Sequence, residues 1–164
     1  MKKKRLILFM LLLFAGVGAA TFSAGKDAYK PRSSKNSQTA RKLSGNKIEI
    51  HTDGKIFTVD MYDNPTANDL VSQLPLTLKA NNYAGYDEKV IRLKNPLSMK
   101  DAPKGDDPEL LELGYYEPGQ WLALYYGYIG YWAGKVPLGK INSTIEEINS
   151  ISNNSDVVIK ISEK

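Results

Sequence analysis

The chain of 164 residues contains no cysteine and a single histidine, His51. The first absence removes disulfides, thiolate nucleophiles and Cys-ligated metals, together with the cysteine that would carry a lipid anchor. The lone imidazole rules out a site built from several histidines, and it has no nucleophile-elbow context for a serine triad. Ile48, Glu49, Ile50 and His51 alternate, so His51 shares a face with Glu49 and is predicted to point to solvent. No Gly-rich phosphate motif follows a strand pattern, and Gly105-Asp106-Asp107 does not match an EF-hand loop. We expect no cofactor and no metal.

Long apolar runs are scarce as well. The one over residues 6–14 follows Lys2, Lys3, Lys4 and Arg5 and precedes a small-residue stretch over 15–20. That order predicts a signal peptide over residues 1–20, cleaved after Ala19 or Ala20. An uncleaved signal-anchor is the alternative, because residues 6–24 carry no charge. Either way the remainder is expected to be exported across the cytoplasmic membrane, secreted or associated with the cell envelope. Membrane contact would come only through an uncleaved N-terminal segment.

Charge is unevenly placed. Residues 21–47 carry seven Lys/Arg against Asp27, a net of +6, and residues 48–164 carry 11 basic against 17 acidic side chains, a net of −6. A nucleic-acid-binding domain concentrates Lys and Arg on its fold, so no nucleic-acid partner is expected here. The polar, basic stretch over 21–47 cannot bury enough apolar surface to offset its ordering entropy, which predicts a disordered linker.

Residues 48–164 read as one domain rich in strands. Asp53-Gly54 between two alternating runs is a hairpin signal. Asn64-Pro65 opens a helix with Ala67, Leu70, Val71 and Leu74 on one face, and Pro75 stops it. Strands are predicted over 76–79 and 89–93, then a long surface loop over 95–109. A second hairpin joins 113–116 to 120–126 across Glu117-Pro118-Gly119, and a strand follows over 136–141. Ser143-Thr144-Ile145-Glu146 reads as a capping box before a short helix with Ile145 and Ile148 inward. A last strand over 156–162 puts Val157, Ile159 and Ile161 on one face. Seven or eight short strands with two short helices predict a mainly β fold, a small closed or nearly closed barrel.

These segments together resemble a family of small prokaryotic cyclophilin-like proteins. The matching stretches are Tyr62-Asp63-Asn64-Pro65-Thr66-Ala67, Leu74-Pro75-Leu76-Thr77-Leu78, Tyr83-Ala84-Gly85, Gly114-Tyr115-Tyr116 with Pro118, Leu122-Ala123-Leu124-Tyr125-Tyr126, Gly130-Tyr131 and Leu138-Gly139-Lys140-Ile141. The resemblance implies a cyclophilin-like β-barrel with short helices over its open ends. Where the family has Trp-Gly-Asn after the proline, this chain has Gly119-Gln120-Trp121. The Phe-His-Arg and Gln-Gly-Gly-Asp segments of the true prolyl isomerases are absent, so the resemblance carries the fold and leaves any catalytic residues unknown.

Tyr115, Tyr116, Trp121, Tyr125, Tyr126, Tyr128, Tyr131 and Trp132 are crowded into a short stretch, and this is the strongest functional signal. In the strand over 120–126, Trp121, Ala123 and Tyr125 take one face and Leu122, Leu124 and Tyr126 the other. One reading is barrel core and rim. The other is a groove of rigid amphipathic rings, with Trp121, Tyr125, Tyr128, Tyr131 and Trp132 as ligand-binding residues. The expected function is a binding module for a peptide or protein segment. The alternatives are a prolyl isomerase with a non-standard site, for which Arg92 is the candidate, and a carbohydrate-binding module.

Overall fold

The computed structural model describes residues 39–163. The expected signal peptide and residues 21–38 of the expected linker lie outside them. The elements are β1 (Leu43–Thr52), β2 (Lys55–Tyr62), α1 (Pro65–Ser72), β3 (Leu76–Asn82), β4 (Glu88–Arg92), β5 (Gly105–Asp106), β6 (Glu112–Tyr116), β7 (Trp121–Tyr125), β8 (Trp132–Ala133), β9 (Lys135–Asn142), α2 (Ile145–Asn149) and β10 (Ser155–Ile161). Eight strands close an antiparallel barrel in the order β1-β10-β3-β4-β7-β6-β9-β2, and β5 with β8 forms a separate two-stranded ribbon. The fold is therefore the small β-barrel with two short helices that the sequence predicts.

Local chemistry explains the junctions. Asp53 and Gly54 both have positive φ, 49° and 72°, as a tight hairpin turn matching strand twist requires. The Asn64 side chain caps α1 by accepting from the Ala67 N–H at 2.8 Å, and Pro65 fills the first turn, where a missing N–H costs nothing. Leu113, Leu122, Leu124, Leu138, Val157 and Ile159 fill the barrel with Ile48, Ile50 and Val59, and α1 adds Ala67 and Leu70. Each of the Leu, Ile and Val side chains contributes about 1.5–3 kcal/mol on burial.

Four expectations change. The cap of α2 lies one residue later: Thr144 accepts from the Glu147 N–H and Glu147 reaches back to the Thr144 N–H. That shift rotates Ile145 outward, where it is 38% exposed, and leaves Ile148 buried. Ile161 is also exposed, because β10 ends at the barrel mouth beside a cleft of about 310 Å³ lined by residues such as Gly45, Lys47 and Val71. The loop over 95–109 is not wholly at the surface, since Leu97, Asp106 and Asp107 are buried and Gly105–Asp106 is a strand. Finally, residues 39–47 belong to the fold rather than to a disordered linker. β1 starts at Leu43, the Lys42 carbonyl accepts from the Asp63 N–H at 2.6 Å, and the Arg41 side chain is buried against acids.

Candidate aromatic site on the outer barrel wall

Strand register lays out this site in rows across four strands. Arg92, Trp121, Tyr116 and Lys135 are successive partners on β4, β7, β6 and β9, so their side chains share the outer face of the barrel. The next row is Val90, Ala123, Gly114 and Pro137, and the row beyond pairs Glu88 with Tyr125. The middle row is small, and the large side chains of the outer rows fold over it. At Gly114 a Cβ would stand 2.8 Å from the Tyr125 ring, so only glycine lets that ring cross the wall.

Over this wall lies a cluster of rings. The Trp121 indole, 5% exposed, has Tyr116 at 4.9 Å and Tyr83 at 5.1 Å between centroids, both tilted. Trp132, carried by the ribbon, meets Tyr86 at 5.0 Å and Tyr116 at 5.4 Å edge-on. Tyr83 and Tyr86 flank the turn between β3 and β4 and stack at 5.5 Å. The Arg92 guanidinium covers the outer side of Trp121 at 4.8 Å and donates to the Gly119 carbonyl at 3.0 Å.

Beneath the rings is a buried ion pair. Lys135 Nζ lies 3.3 Å from Glu88 Oε2, with both side chains at most 1% exposed. The same ammonium sits 4.4 Å from the Trp132 ring and 4.8 Å from that of Tyr125. Burial pushes the Glu88 carboxyl up and the Lys135 ammonium down, each shift opposed in part by the other's charge. Glu88 Oε1, Trp121 Nε1 and the Tyr125 hydroxyl have no hydrogen-bond partner among the described residues.

A second charged group borders the site. Arg41 Nε and Nη2 donate to the two oxygens of Glu112 at 2.8 and 2.9 Å, and Nη1 and Nη2 to those of Asp106 at 3.2 and 2.6 Å. Glu109 lies at 3.6 Å. Glu112 also accepts from the Tyr62 hydroxyl at 3.1 Å and the Glu109 N–H at 3.0 Å. Burial pushes the Glu112 carboxyl up to about 7, while Arg41 opposes the shift.

Of the residues singled out from sequence, Trp121 and Trp132 thus join one cluster, with Tyr125 under it as part of the wall. Tyr128 and Tyr131 lie on the β7–β8 connection, 53% and 49% exposed, and the Tyr131 ring lies against Gly105. Tyr83, Tyr86, Glu88, Lys135 and Arg41 were not among them. Tyr116 belonged to the aromatic run and Arg92 was the isomerase candidate. His51 is 30% exposed and bonded to Glu49 at 2.7 Å on the far side of the barrel wall from the core.

Comparisons with known proteins agree with this architecture. A solution structure of a hypothetical protein from Archaeoglobus fulgidus superposes with a TM-score of 0.56 at 18% identity, over 74% of this chain and 98% of that one. McbB, solved in complex with tryptophan, gives a TM-score of 0.51 at 15% identity, over 71% of this chain and 45% of that one. Both likenesses concern the fold. No curated protein matches the sequence. The family model for the Cyclophilin-like family matches residues 50–162, nearly the whole barrel, and the chain belongs to that family.

Proposed function

We propose that the chain is an exported binding module that takes an extended peptide or protein segment across the ring cluster of the outer wall. The observation that carries this reading is the cluster itself: Tyr83, Tyr86, Tyr116, Trp121 and Trp132 gather from four separate stretches of chain, with Arg92 at their margin. Tyr86 remains 41% exposed, and Tyr83, Tyr116 and Trp132 are half-buried, so the cluster is partly open to solvent. Such rings supply contact area at low entropy cost and fit side chains of irregular shape. A flat sugar favours near-coplanar exposed rings. Apart from Tyr83 and Tyr86, at 27°, the rings meet at 46° to 84°, which favours a peptide over a carbohydrate.

Trp121 and Trp132 are the only tryptophans and both lie in the cluster, so intrinsic fluorescence reports on this surface. The test is titration of the purified protein with a defined panel of extended peptides differing in proline, aromatic and acidic content. Saturable emission changes that Tyr86→Ala and Trp132→Ala weaken are expected. Saturable binding that neither substitution affects, or silence across the panel, would refute the reading.

One observation favours the isomerase alternative enough to test it. Arg92 lies on the ring-bearing face, where a guanidinium could approach a prolyl nitrogen. Its Nη1 is committed to Gly119 and its plane to Trp121, so it must leave both to act. The assay is cis-to-trans conversion of X–Pro peptides by wild type and Arg92→Ala. We expect no acceleration from either, and a wild-type acceleration lost in the variant would make the protein an enzyme.

A further inference from the structure

We propose that Arg41 is a positioning residue for the ring cluster: from the segment ahead of the barrel it locks the β5–β8 ribbon, and with it Trp132, against the wall. The chain of contacts is short. Arg41 grips Asp106 of β5 with two hydrogen bonds and Glu112 of β6 with two more, so one planar fork ties ribbon to barrel. Asp106 is the direct register partner of Trp132. Trp132 in turn carries the ring contacts to Tyr83, Tyr86 and Tyr116 and covers Lys135.

The ribbon needs such a lock. Its ladder pairs two residues with two, Gly105 with Ala133 and Asp106 with Trp132, too few to hold position alone. The Gly134 N–H adds one bond to the Lys104 carbonyl at 2.9 Å. The backbone that carries Arg41 is itself fixed to the barrel, since the Ala40 carbonyl accepts from the Asn64 side chain at 3.0 Å and the Lys42 carbonyl from Asp63. Without the guanidinium, the Asp106 and Glu112 carboxyls, with side chains 1% and 2% exposed, would be left buried with no cation between them. Lifting the ribbon returns Asp106 to water at the loss of the Trp132 ring contacts, a smaller rearrangement than opening the barrel. A lysine cannot replace the fork, because a point-like ammonium cannot bridge both carboxylates in one plane.

The consequence for ligand binding rests on the reading of the ring cluster given above, but the lock itself is measured without any ligand. Hydrogen exchange in the full chain, read by mass spectrometry, is compared for wild type, Arg41→Lys and Asp106→Asn, with acrylamide quenching of tryptophan emission as a second readout. Asp106→Asn keeps the Arg41–Glu112 pair and so protects the barrel from collapse. Both variants should exchange about tenfold faster over residues 104–107 and 131–134, with unchanged rates in β1 and β10 and more quenching. Unchanged ribbon exchange in both folded variants would overturn the lock, and so would a uniform rise through all strands. A loosened ribbon in a protein that binds no peptide would leave the lock standing and remove the function proposed for the cluster.

Discussion

The Glu88–Lys135 pair invites a perturbation whose sign is not obvious. At 3.3 Å, and with an effective dielectric of about 20, the two charges attract by about 5 kcal/mol. Desolvating each ion costs several kcal/mol, and Glu88 Oε1 has no partner among the described residues to recover any of it. Removing only the cation with Lys135→Met strands a buried carboxylate and should cost about 3–5 kcal/mol. Glu88→Leu should cost less, because Lys135 keeps the faces of Tyr125 and Trp132, worth about 2 kcal/mol when desolvated. The double substitution Glu88→Leu/Lys135→Met strands nothing and should return to within about 1 kcal/mol of wild type, or exceed it.

Urea unfolding followed by circular dichroism measures all four corners of this cycle. The pH dependence has a fixed sign. With Lys135 gone, burial alone acts on Glu88 and holds its folded pKa above the unfolded value. The folded state therefore gains stability as pH falls through that raised pKa, so the Lys135→Met penalty should shrink toward the ordinary glutamate range. A Lys135→Met cost below about 1 kcal/mol at neutral pH would refute the argument, as would a double variant that merely sums the singles.

Two hydroxyls offer a matched comparison: Tyr62→Phe removes a donor to the buried Glu112 and should cost about 1.5–3 kcal/mol, whereas Tyr125→Phe should leave stability unchanged or raised. Equal losses in denaturant melts would reveal a partner for Tyr125. Gly114→Ala sets a methyl 2.8 Å from the buried Tyr125 ring and should destabilise by about 1–3 kcal/mol in the same melts. Hydrogen bonds from His51 and Ser162 hold the Glu49 carboxyl below its ordinary range. Its contribution is present above the usual glutamate pKa and lost as pH falls through the lowered one, so thermal midpoints of wild type and Glu49→Gln should converge in acid. Parallel curves would contradict that assignment.

The barrel was legible because its strands and turns use local signals. Asp53-Gly54, Asn64-Pro65 and the alternation of Trp121 through Tyr125 each specify structure within a few residues. The ribbon was not, since two-residue strands are too short for any periodicity to register. The charged clusters stayed hidden for another reason. Asp106 reads as a solvated turn former until Arg41 arrives from 65 positions away, inside a stretch whose composition is that of a linker. Glu88 and Lys135 fall on the outward side of their strands, where a charge normally meets water, and the ribbon and its rings cover that side. The aromatic run located Tyr116, Trp121 and Trp132, but Tyr83 and Tyr86 reach them only because β4 pairs with β7.

Closure of the barrel constrains how any segment can be held on the wall. In the wall that carries the rings, β4, β7 and β6 are each paired on both sides, so among the described residues that wall presents no open edge onto which a guest strand could zip. A guest is therefore recognised through its side chains, not through a main-chain ladder. Its backbone amides are dispensable, and peptides N-methylated at alternate positions should bind as well as their parents. Without a ladder to impose polarity, the same side chains presented in reversed chain direction should be accepted too.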